Sequence, residues 1–186
     1  MGPTLAAFGL AAVLTVAIFA LLFSAERHQA DAAADVRRSE RMVFLSSRLQ
    51  RLTIDLETGI RGRLLARHER FLEPYNAALA DIPGILDRLD QLGNERSRQR
   101  LSRLRKGVEF YVNSYARLEA ERPLDSSSGE LRAATSEGKG RLDSLRRRFT
   151  GFRTTELRLS DSAAKEATAS AERSLVFAAV GLVLSM

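Results

Sequence analysis

Residues 55–75 read DLETGIRGRLLARHERFLEPY and stand out from ordinary bundle sequence. Glu57 and Arg61 stand four apart. At that spacing an acid and a base meet along one helix face, with the acid on the favourable N-terminal side. Gly59 and Gly62 lie three apart in the same stretch. A glycine inside a helix costs about 1 kcal/mol relative to alanine, so two of them imply a purpose other than stability. Lacking side chains, they let a neighbouring helix or a ligand approach the backbone closely. Two readings stay open. In one, the glycines make a tight helix crossing and Glu57–Arg61 is a structural ion pair. In the other, they wall a polar pocket where Arg61 meets a small anion or polar effector.

Catalytic constellations are missing. His28 and His68 are far apart, and neither has another strong ligand at metal-binding spacing. The absence of cysteine rules out disulfides, thiolate catalysis and thiolate metal sites. Gly59-Ile60-Arg61-Gly62 lacks the preceding strand and following lysine of a phosphate loop. The expectation is a chain with no enzymatic activity of its own, no metal and no cofactor.

The elements that must position these residues are helices. Apolar residues recur at Leu45, Leu49, Leu52, Leu56, Ile60 and Leu64, steps of three and four. This pattern predicts one long first helix reaching about Arg70, ended by Pro74. A second helix reads Tyr75, Leu79, Ile82, Leu86 and Leu89, with Pro83-Gly84 expected to kink or divide it. A third reads Leu101, Leu104, Val108, Val112, Tyr115 and Leu118, and ends before Pro123. After the turn DSSSG, a fourth reads Leu142, Leu145, Phe149, Phe152, Glu156, Leu159 and Ala163. No stretch alternates with period two. The prediction is an all-α, up-down-up-down four-helix bundle whose two long helices continue into transmembrane helices.

All charged residues lie between Glu26 and Arg173. The uncharged run 5–23 would reach about 28 Å as a helix, close to the bilayer core of about 30 Å. Run 175–186 is too short to span and stops with the chain, which predicts the start of a second spanning helix. The expected domains are therefore a first transmembrane helix over 1–24, a helical domain over 25–173 and a truncated second transmembrane helix over 174–186. Charge leaves the membrane orientation open. The net charge of +6 is distributed among 23 acids, a solvated helix surface rather than the aromatic-studded basic face of a nucleic-acid binder.

Residues 25–70 and 130–173 would make helices of about 69 and 66 Å, against about 30 and 42 Å for the middle pair. The short pair then covers only the distal part of the long pair. A two-helix stalk remains, with so little core that pairing into a homodimer is expected. Glu156 occupies a seam position in the fourth helix, where a buried carboxylate needs a partner. Arg61 is the expected one. A ligand competing for Arg61 would then shift the fourth helix by a small piston or rotation.

Residues 55–75 also resemble the third type of the CHASE family of extracytoplasmic sensory domains. Asp55, Glu57, Thr58, Gly59, Arg61, Gly62, Leu64 and Leu65 match its first motif, and Phe71, Leu72, Pro74 and Tyr75 match the motif that follows. Weaker likenesses come from Asn94, Gln99, Leu101 and Leu104, then from Gly138-Lys139, Asp143 and Arg146. Arg63 departs from the family's usual tyrosine. Ala66-Arg67-His68 replaces its Thr-Gly-Asp turn, which suggests that the first helix runs further.

The resemblance implies a four-helix periplasmic input module, anchored in a bacterial inner membrane and joined to a histidine kinase, nucleotide cyclase or chemoreceptor-like output. It makes Glu57, Thr58, Arg61 and Tyr75 ligand-binding candidates, with Glu156 added from its seam position. Asp55, Gly59, Gly62 and Pro74 are the structural ones. Expected partners are a second copy, the lipid bilayer and a small ligand or partner protein, with no nucleic acid. The other function open to such a chain is a membrane-tethered helical scaffold or adaptor.

Overall fold

The computed structural model describes residues 2–184, with side chains throughout 15–176. The elements are α1 (Gly2–Ala66), a 3-10 turn (Glu69–Leu72), α2 (Glu73–Leu92), α3 (Glu95–Tyr111), a π segment (Val112–Ala116), α4 (Arg117–Ala120) and α5 (Ser128–Leu184). No strand occurs among the described residues. The chain divides into two compact units, Glu40–Leu157 and Met1–Ser39 with Arg158–Met186.

Unit Glu40–Leu157 is the bundle. Its core takes Leu49, Leu56, Ile60 and Leu64 from α1, Ile82, Leu86 and Leu89 from α2, Leu101, Leu104 and Val108 from α3, and Leu142, Leu145, Phe149 and Phe152 from α5. Neighbours run antiparallel. Gly59 lies against Tyr75, whereas Arg48, earlier in α1, reaches Asp81, later in α2. Arg100 reaches Glu156 while Tyr115 lies against Gly138, so α5 descends as α3 ascends. The predicted helical seams account for this arrangement, since each buries one apolar face against the others.

The first helix is shorter than expected. It ends at Ala66, because Arg67 adopts the left-handed conformation (φ 52°) that closes a helix. The suggestion that replacing the Thr-Gly-Asp turn lengthens α1 is therefore wrong. Pro74 does not stop α1 either; it sits in the first turn of α2, where its missing amide has no partner to lose. Pro83 lies inside α2 without dividing it, since both it and Gly84 face solvent.

The third helix contains a feature that the sequence pattern does not show. One wider turn at Val112–Ala116 adds a residue to the helical count. The buried face then passes to Glu119 and Ala120, and Leu118, expected in the seam, is 61% exposed.

The unit formed by 1–39 and 158–186 is built from segments of α1 and α5 alone. Within it Arg27 lies over the Phe23 ring and Lys165 pairs with Asp161 at 2.7 Å. Both uncharged runs fall within these helices up to Leu184. Among the described residues, no helix is long and apolar enough to cross a membrane. The two expected spanning segments fall largely on 1–14 and 177–186, where most side chains lie outside the described residues.

Candidate functional site

Glu57 is the centre of the polar core. Leu56 and Ile60 beside it are fully buried, which carries Glu57 inward to 4% exposure. Tyr111, from the end of α3, donates its hydroxyl to Glu57 Oε2 at 2.8 Å. Tyr115, in the π segment, directs its own hydroxyl to the Ala134 carbonyl at 3.1 Å, and the two rings lie 5.5 Å apart. Among the described residues Glu57 Oε1 has no hydrogen-bond partner of good geometry, although the nearby Tyr115 hydroxyl favours its charged form.

Burial raises the Glu57 carboxyl above its ordinary value, against the opposing effects of the Tyr111 bond and the Arg61 charge. Burial likewise raises both tyrosine hydroxyls, and the nearby Glu57 charge adds to it. The site can therefore hold a proton at Glu57 more readily than a surface carboxylate can.

Gly138 makes this geometry possible. A Cβ there would fall inside the Tyr115 hydroxyl and stand 2.8 Å from Glu57 Oε1. Gly59 and Gly62 do the close-approach work expected of them, and the occupant is protein. A Cβ at Gly59 would meet Tyr75 Cβ at 2.8 Å, and one at Gly62 would meet the Phe71 ring at 2.8 Å. They seat the 3-10 turn and the start of α2 against α1.

Arg63, the departure from the motif, closes the same corner. It is 6% exposed and grips both carboxylate oxygens of Glu69 at 2.9 and 3.0 Å. Its Nη1 donates to the Arg122 carbonyl at 2.8 Å, tying α1 to the end of α4. His68 supports the turn by accepting from the Arg70 amide at 3.1 Å. Sequence reasoning treated Arg63 only as a substitution, because a bond across so many residues leaves no spacing signal.

The other expected site residues are scattered. Thr58 is exposed and Asp55 half-buried. Tyr75 is buried as packing for Gly59, and burial raises its hydroxyl pKa. Arg61 is exposed and acts on Glu57 through its charge without closing an ion pair with it. Glu156 is buried as expected, yet its partner is Arg100 of α3, at 2.7 and 3.0 Å, and not Arg61. The antiparallel register gives the reason. Arg61 shares a cleft with Thr135 and Lys139 of α5, and Glu156 lies a further seventeen residues, about 26 Å, along that helix.

The family model of the CHASE3 domain matches residues 32–166, more than half of the chain. The chain belongs to the CHASE3 domain family. CHASE3 domains are extracytoplasmic sensory domains without catalytic activity. No curated protein and no solved structure matches the chain.

Proposed function

We propose that this CHASE3 chain is the membrane-tethered input domain of a receptor, passing an extracytoplasmic stimulus to a cytoplasmic output such as a histidine kinase or nucleotide cyclase. The family match over 32–166 carries the reading. Helix continuity supports it: α1 begins at Gly2 and α5 runs to Leu184, so each joins the sensory unit to an uncharged run. The two runs anchor the protein in a bacterial inner membrane, with the bundle in the periplasm. Exposed Phe44, Phe110 and Leu118 offer apolar surface for a homodimer.

The test joins residues 1–186 to the kinase module of a reporter receptor in place of its own input. Kinase output is expected to change several-fold when the buried Arg100–Glu156 pair is broken. A reporter active only outside the cytoplasm, inserted within 124–127, is expected to be active. Unchanged output from every core variant would overturn sensing in favour of a membrane-tethered adaptor.

A further inference from the structure

One cleft in the bundle gathers four cations. Between the end of α1 and the first turns of α5 lies a cavity of about 640 Å³. Arg61 and Arg67 stand on one side, Arg132 and Lys139 on the other, and no acidic residue lines it. Several arginines elsewhere in the bundle are matched by acids, Arg48 by Asp81, Arg105 by Asp87 and Asp90, Arg141 by Glu137, whereas the two other clefts that also lack a lining acid hold three cations each, at least one of them ion-paired. None of the four cleft cations closes an ion pair among the described residues; Arg132 donates only to the Ser128 carbonyl, at 3.2 Å. Four like charges around one cavity repel one another, and an anion between them relieves that repulsion.

The cleft is not uniformly polar. Leu64 and Leu131 close its base at 1% and 9% exposure, and Leu65 stands open at 69%. The cleft volume lies within the range of about 300–1,000 Å³ usual for small-molecule sites. A planar carboxylate fits the paired donors of an arginine fork, while an apolar body is what the leucines would shed water to cover.

We propose that this cleft binds a small organic carboxylate with an apolar body, held by Arg61 and Lys139 from opposite walls. The proposal names a ligand class for the sensory reading and rests on that reading only for its signalling consequence. Both cations are exposed, so replacing them leaves the packed core intact.

The test is calorimetric titration of the purified full chain with benzoate, its neutral isostere benzamide, and inorganic phosphate. Benzoate is expected to bind saturably and at least tenfold more tightly than either. Arg61→Ala and Lys139→Ala are each expected to weaken benzoate at least tenfold, Arg61→Lys less so because the charge remains. Arg103→Ala, in a different cleft, is expected to change nothing. Unchanged thermal melting of the variants shows that they fold. Benzamide or phosphate binding as tightly as benzoate overturns the proposal, as does benzoate binding that ignores Arg61→Ala and Lys139→Ala. In the reporter receptor the two readings separate. Benzoate binding without any change in kinase output counts against sensing, whereas a responsive kinase without benzoate binding counts against this site alone.

Discussion

Glu57 is a carboxylate in an apolar bundle, with Oε2 bonded by Tyr111 and Oε1 without a hydrogen-bond partner of good geometry among the described residues. Its folded pKa is raised, so the folded state holds the proton more tightly than the unfolded one, and its contribution to stability falls as pH rises above the ordinary value of 4.5. Glu57→Gln removes this dependence. The variant is expected to gain stability relative to wild type as pH climbs from about 4.5 towards neutrality, read as a widening difference in Tm. Gly138→Ala pushes a methyl group into the Tyr115 hydroxyl and is expected to cost about 1–3 kcal/mol by overpacking. Denaturant titration checks this, and adding Tyr115→Phe is expected to recover part of the loss. Glu57 stood out in the sequence through its spacing from Arg61 and its place among the glycines. Its real partner did not, because Tyr111 lies fifty-four residues away and meets it only across the bundle.

Among the elements, the helical seams were readable from their three-and-four spacing, and the core of each helix follows them closely. Register between helices was not readable, since spacing along one helix says nothing of height on the next. Hence Glu156 was identified as buried but given to Arg61, when Arg100 holds it. Arg100→Ala leaves a carboxylate buried without its cation and is expected to cost about 3–5 kcal/mol in chemical denaturation. A double-mutant cycle is expected to show coupling between Arg100 and Glu156 and none between Arg61 and Glu156. The π segment is the second place where spacing misled, because one extra residue moves every later side chain on the helix. Leu118→Ala discriminates between the two registers. A core leucine would cost about 2–5 kcal/mol, whereas the exposed Leu118 is expected to change stability by no more than about 0.5 kcal/mol.

At the scale of the whole molecule, family and helical class were legible because a motif of fixed order, Asp55 to Tyr75, coincides with uninterrupted helical periodicity. Less legible was where the chain turns. Arg67 in its left-handed conformation and the grip of Arg63 on Glu69 set that corner, and neither belongs to a common turn signature. The longest-range consequence follows from α5, one helix from Ser128 to Leu184 with no proline in it. On the sensory reading proposed above, this uninterrupted helical backbone is the covalent path by which a shift imposed near Lys139 would be passed on. Softening the rod separates reception from delivery. Ala163→Gly with Ala164→Gly is expected to reduce the reporter kinase's response to benzoate while leaving benzoate affinity as it was, measured by kinase output and calorimetry side by side.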